Sequence, residues 1–326
     1  MHWKQFFKLA AATQLLPVME NGEETTLIGG QAVMEGVMMR APHGYCVAVR
    51  QPDGQIVTQE GYLERISEKY PIFKLPVFRG IGTLGHALYL GVKVMNFSAQ
   101  TALPPDEKTG EKTVIPDWMM NLNIVFSVVF ALVLYKALPL FIVTKLTPVF
   151  PSLQNQIYSN FIDGVIRISI LVSLMWLLSK SKEMKGLFQY HGGEHKVVFN
   201  FESGQPVTVE NAQKFVTWHP RCGTSFLMTL MFLSMIIYMF LPFSDPWVKF
   251  AARLVLTLPI VGLSYEVIRF AARKQGSAMA LVTKPGMWLQ RITTQPPSDE
   301  QTAIAIQALE GAMALEKKQG GRAVLA

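Results

Sequence analysis

Residues 188–196, reading FQYHGGEHK, gather the side chains best suited to chemistry. His191 and His195 stand four residues apart, with Glu194 beside the second. On a helix that spacing puts both imidazoles on one face, near enough to share a metal ion. The string also fits H-x-x-E-H, the inverted zinc-hydrolase pattern, in which the glutamate takes a proton from a metal-activated water. A five-residue match is common by chance, so its surroundings decide. The opposing reading is a loop, because Gly192 and Gly193 each cost a helix about 1 kcal/mol, and a loop would void the shared face.

Residues 219–225, HPRCGTS, open the third of four apolar runs. His219 and Cys222 are three apart, and both are competent zinc or iron ligands. Glu266, in SYEVIR, lies near the corresponding end of the fourth run. These residues define an expected metal centre: His191 and His195 as ligands, completed by His219, Cys222 or Glu266, with a divalent metal, zinc, between them. Glu194 is then the general base, and Arg221 or Lys196 stabilises an oxyanion. Glu35 and Glu202 are held as further carboxylates, as ligands or as partners of ligands. Blander roles stand beside these: His219 before Pro220 as a helix terminator, and Cys222 as a small buried apolar residue.

The elements that must position these groups are mostly apolar. Half of the 326 residues are hydrophobic and 16% are charged, against roughly 25% charged in an ordinary soluble domain. Four runs, at 118–138, 162–178, 225–243 and 250–270, each approach the ~20 residues that a bilayer core requires. In the second, Asp163 and Arg167 stand at helical spacing and can neutralise each other. The connections after the first and third runs carry Lys145 and Lys249 alone. The connection after the second carries Lys180, Lys182, Lys185, Lys196, Lys214 and Arg221, and the tail carries Arg273, Lys274, Lys284 and Arg291. The positive-inside rule then places both termini and the middle connection in the cytoplasm, beneath the cell inner membrane. That asymmetry accounts for the net charge of +7 without nucleic acid, for which no motif is present. Cys46 and Cys222 are the two cysteines, and a reducing compartment would keep both as thiols.

The expected fold is a polytopic α-helical membrane protein, with about four transmembrane helices and a composite cytoplasmic α+β domain. Its parts are a surface segment (1–24), a β-rich part (25–75), an amphipathic helix and linker (76–117) and two spans (118–180). A cytoplasmic insertion with both motifs (181–224), two more spans (225–271) and a helical tail (272–326) follow. The Asp53-Gly54 turn predicts a hairpin of 45–50 with 55–62. Residues 29–40 read as a glycine-rich strand whose backbone approaches a ligand, or as a bent edge strand with an ordinary ion pair. Residues 196–202, rich in Val and Phe, predict a further strand pairing with the hairpin. Ser298 and Gln301 form a capping-box signal for an amphipathic helix expected to pack on the soluble domain.

The motifs GGQAVMEGVMMR (29–40), Arg79-Gly80, YHGGEHK (190–196), HPRCGTSFL (219–227), SYEVIRFA (264–271) and PGMWLQRITT (285–294) together resemble the YqhQ-like family of uncharacterised bacterial membrane proteins. The family usually carries Ala where this chain has Gly193. The resemblance implies a membrane protein described as a metal-dependent enzyme. Residues and resemblance together lead to a hydrolase of a peptide, amide or ester bond at the cytoplasmic membrane face. Its substrate would be a membrane lipid or a membrane-associated peptide, with a homo-oligomer admitted. One rival is a scaffold factor whose histidines only knit loops to span ends. A second is a transporter using Asp163, Arg167 and Glu266, against which stand four spans and no evident inverted repeat.

Overall fold

A computed structural model describes residues 28–63, 70–104, 115–219, 222–273 and 280–318. The surface segment expected over 1–24, most of the expected linker, and Arg221 lie outside the described residues.

The chain starts as an antiparallel meander in the order β1 (Gly29–Val33), β2 (Gly36–Arg40), β3 (Gly44–Arg50) and β4 (Ile56–Tyr62). Met34 and Glu35 make the first tight turn, with Glu35 at φ 50°, a conformation uncommon outside glycine. Residues 29–40 are thus a hairpin and not a single edge strand. Gly54, at φ 86°, closes the turn signalled by Asp53-Gly54, and Val47 pairs with Gln59 across the resulting ladder.

Helix α1 (Phe78–Ala102) covers one face of this sheet, where Leu90 and Val94 bury against Val33, Val47 and Val49. Helix α2 (Trp118–Leu146) runs through Pro139, where the first span was expected to stop. A π-helical turn at Val133–Ala137 precedes the proline and accommodates its ring and missing N–H. Helix α3 (Gln156–Leu178) is followed by α4 (Lys182–Glu202), which begins at a Ser181 cap accepting from the Met184 N–H. The strand expected over 196–202 is therefore the last part of α4. Its Val197 and Val198 bury against Val37, Ala48 and Leu309, and that packing outweighs the β-propensity of the segment.

A short α5 (Val209–Gln213) precedes α6 (Gly223–Met239), α7 (Pro246–Val255), α8 (Thr257–Arg273), α9 (Ala280–Thr293) and α10 (Asp299–Lys318). Ser298 Oγ accepts from the Gln301 N–H, and Gln301 Oε1 accepts from the Ser298 N–H, so α10 starts at the reciprocal cap its sequence signals. Ile304, Ala308 and Ala312 then bury against β2, β3 and α4. The sheet is thereby sandwiched between α1 and the α4–α10 pair, a layered α+β unit assembled from both halves of the chain.

The described residues are mostly helical, and among them two helices, α2 and α3, are long and apolar enough to cross a membrane. The number is three if α7 and α8, bent by 49° at their junction, count as one broken span. Pro259, in the first turn of α8, favours a break there because it cannot donate to the preceding turn. The third expected span, α6, is apolar but only 17 residues long. On α2, Leu122, Val125, Phe126 and Val129 lie more than half exposed, as lipid-facing side chains do.

Candidate metal centre

The string HGGEH is helical, so His191, Glu194 and His195 share one face of α4. Gly192 explains how the helix tolerates the string. A Cβ there would lie 2.0 Å from the Gln295 carbonyl oxygen, because the segment after α9 presses directly on the α4 backbone. Gln295 also donates its N–H to the Phe188 carbonyl at 2.8 Å.

Each imidazole is fixed by a backbone carbonyl. His191 Nδ1 lies 2.8 Å from the Thr293 oxygen, and His195 Nδ1 bonds the Thr217 oxygen. A carbonyl can only accept, so each Nδ1 carries the proton and each Nε2 keeps a free lone pair. This is the arrangement by which metal-binding histidines are oriented. Cys222 Sγ sits 3.2 Å from His191 Nε2, at the cap of α6, where the helix dipole favours an anion. The donor atoms of His191, His195 and Cys222 all lie within 4.8 Å of one another, so this group could hold a metal ion. A tetrahedral zinc with ~2.0–2.3 Å bonds would draw the widest pair together by about 1 Å.

Glu194 completes the cluster. Its Oε2 is 3.9 Å from the Nε2 of both His191 and His195. Burial raises its proton affinity, while His191, His219 and the Gly30 N–H pull it back. Gly30 on β1 lies against this carboxylate, and a Cβ there would fall 2.6 Å from Glu194 Cγ. The glycine-rich hairpin therefore brings its backbone close to the glutamate.

The remaining expected residues are distributed around this centre. His219 stands behind His195, with ring centroids 5.7 Å apart, and its Nε2 lies 3.5 Å from Glu202. Burial depresses its pKa to about 4. It falls outside the three-donor group. Glu266 does too: its carboxylate takes Arg79 Nε at 2.6 Å and the Val77 N–H at 3.3 Å, tying α8 to the start of α1. Lys196 Nζ donates to the Gln213 carbonyl at 2.7 Å. Glu35 pairs with Arg50 at 2.8 Å and accepts from the Tyr190 hydroxyl.

Sequence reasoning missed Gln290. Fully buried on α9, it accepts from the His219 N–H at 2.7 Å and donates to the His219 carbonyl at 2.9 Å and to Ser225 Oγ at 3.0 Å. It clamps the His219 backbone, which lies close in sequence to Thr217 and Cys222, both of which touch the cluster. Its partners are mostly backbone atoms, so no side-chain pairing could signal it. Its presence in the PGMWLQRITT motif was the one available sign.

Fold and site together describe a mostly helical protein with two to three helices, among the described residues, apolar and long enough to cross a membrane, and a His-His-Cys cluster that could hold a metal. A family described as "Protein of unknown function (DUF1385)" matches residues 75–315, and the chain belongs to that family. It is also 32% identical over 297 residues to "Uncharacterized protein YqhQ" of Bacillus subtilis (strain 168), covering 88% of this chain and 92% of that protein. No solved structure matches.

Proposed function

We propose that this chain is a zinc-dependent hydrolase seated where the cytoplasm meets the inner membrane. The carrying observation is the convergence of two oriented Nε2 atoms and one thiol beside a buried carboxylate. Three protein ligands leave a coordination position open, which distinguishes catalytic from structural zinc sites. A divalent ion bound there would supply Lewis acidity.

The chain's own groups divide the rest of the work. His191 and His195 hold their Nε2 lone pairs inward because Thr293 and Thr217 take the Nδ1 protons. Glu194 Oε2, 3.9 Å from both rings, accepts a proton from the attacking water and passes it to the leaving group. Burial raises the proton affinity of Glu194, which strengthens it as an acceptor, while His191, His219 and the Gly30 N–H favour the carboxylate it must start from. Lys196 is spent on the Gln213 carbonyl and Glu266 on Arg79, so neither takes part.

In this reading α6 and the bent α7–α8 pair join α2 and α3 as four spans, with both termini cytoplasmic. The centre at the mouth of α6 then meets substrates held by the membrane: a lipid headgroup ester or a peptide beside a span.

Cobalt substitution tests the open site. Thiolate-to-cobalt charge-transfer bands should form, shift when acetohydroxamate is added, and vanish in Cys222→Ser. Metal-loaded protein should hydrolyse p-nitrophenyl acetate, and Glu194→Gln should keep its metal but lose that activity. A cobalt spectrum that acetohydroxamate leaves unmoved would mean a closed structural site and would end the hydrolase reading.

A further inference from the structure

A second polar centre lies at the other end of the helical bundle. Cys222 caps α6, and Tyr238 lies sixteen residues further along it, a separation of about 24 Å at the helical rise. Around Tyr238, four basic side chains share one carboxylate. Asp163 bonds Arg167 through one oxygen and Arg253 Nη1, at 2.8 Å, through the other. Arg253 Nη2 donates to Asn160 Oδ1 at 3.2 Å, and Arg167 Nη1 to Ser234 Oγ at 3.1 Å. Lys136 Nζ donates to the Tyr238 hydroxyl at 2.7 Å. The Tyr238 ring lies 4.9 Å from the Arg167 guanidinium and 5.3 Å from that of Arg253.

The fourth base, Lys249 on α7, is 6% exposed. Among the described residues its ammonium has no hydrogen bond and no ion pair. Asp245, one turn earlier, is engaged in capping α7 through the Trp247 and Val248 N–H groups. Lys249 lines a cavity of about 470 Å³ together with Asn160, Asp163 and Arg253, while Leu140 and Val143 form an apolar part of the wall. Asp163 is the nearby counter-charge, but Arg167 and Arg253 occupy both of its oxygens, and a buried lysine left with so small a share of one carboxylate inside a membrane protein marks a ligand or ion site.

We propose that this cavity is a receptor for a phosphate-bearing anion, held by Lys249 and Arg253 from the side of the bundle opposite the metal centre. The surplus of basic groups over the one carboxylate supplies the charge that a phosphate oxyanion requires. A lipid headgroup phosphodiester and free phosphate share this chemistry. The cavity is larger than a phosphate alone needs, and its apolar wall matches the glycerol and first methylenes of a lipid.

The full chain, purified in neutral detergent, is analysed by native mass spectrometry after addition of phosphatidylglycerol, with phosphatidylcholine as the zwitterionic control. Radiolabelled orthophosphate is followed in parallel by equilibrium dialysis. Wild type should retain phosphatidylglycerol, Lys249→Met should retain at least tenfold less, and Lys249→Arg should restore binding. Metal content should be equal in all three, which separates this site from the hydrolase reading and confirms folding. Saturable, Lys249-dependent binding of orthophosphate but not of the lipid would assign the same site to a soluble anion. If wild type binds neither probe, or binds both as Lys249→Met does, the proposal is overturned.

Discussion

The two adjacent glycines of HGGEH should respond in opposite ways to a single added methyl. At Gly192 the Cβ would sit 2.0 Å from the Gln295 carbonyl oxygen and 3.1 Å from its carbon. Ordinary contact begins near 3.4 Å, so the backbone must retreat by about 1.4 Å. Overpacking of this kind costs about 1–3 kcal/mol even when side chains can yield, and here the obstacle is main chain. Alanine's helical advantage of about 1 kcal/mol recovers only part of that. The retreat also carries away Thr293, two residues earlier, whose carbonyl orients His191. Gly192→Ala should therefore lower both thermal stability and metal affinity, the latter by about 10- to 100-fold, as when an orienting partner of a metal ligand is lost. At Gly193 the nearest atom is Pro297 Cβ at 3.5 Å, an ordinary contact. Gly193→Ala should keep full metal content and gain up to about 1 kcal/mol. The assay is a thermal melt in detergent with metal titration of both variants. Equal behaviour of the two, or a stable metal-binding Gly192→Ala, would refute the close approach that explains how this helix carries two glycines.

Further outcomes follow from other parts of the centre. Gln290→Leu removes the acceptor of the buried His219 N–H and one of the two donors to its carbonyl, which keeps the Cys222 N–H at 3.3 Å, at about 1–3 kcal/mol for the lost buried acceptor; chemical denaturation should show the loss, with weaker metal binding as the hold on the Cys222 segment weakens. Glu266→Gln should leave metal stoichiometry unchanged, because that carboxylate serves Arg79; metal analysis showing a lost ion would restore Glu266 as a ligand. Cys46 is fully buried in the sheet, and burial raises its pKa to about 12, so at pH 8 only about one thiol in ten thousand is ionised. Maleimide should therefore modify Cys222 alone in native protein, slowly when metal is bound and rapidly after chelation.

The sequence carried the chemistry of α4 more plainly than its conformation. The four-residue histidine spacing and Glu194 were visible as a string, yet the two glycines argued equally for a loop. What settles the helix is a chain segment a hundred residues away that needs Gly192 bare. Val197, Val198 and Phe199 read as a strand because local propensity was the only signal, whereas burial of the two valines against the sheet, with Phe199 stacked on Phe215, keeps them in α4. The hairpin at Gly54 and the cap at Ser298 were legible because turns and caps depend on a few neighbouring residues. Shared depth at the apolar boundary pointed to Cys222, His219 and Glu266 alike, and of these the structure sets Cys222 against His191. Glu266 proved to be committed sideways to Arg79, and His219 to stand behind His195. Lys249 looked like an ordinary loop lysine, and only tertiary packing shows it buried in a cavity.

X-ray absorption at the metal edge tests the central claim most directly. Protein purified without added chelator and loaded with one equivalent of zinc should show one sulfur scatterer near ~2.3 Å and nitrogen or oxygen scatterers near ~2.0–2.1 Å, with the sulfur shell abolished in Cys222→Ser. A spectrum without sulfur, or protein that takes up no zinc while folded, would contradict a His191-His195-Cys222 centre.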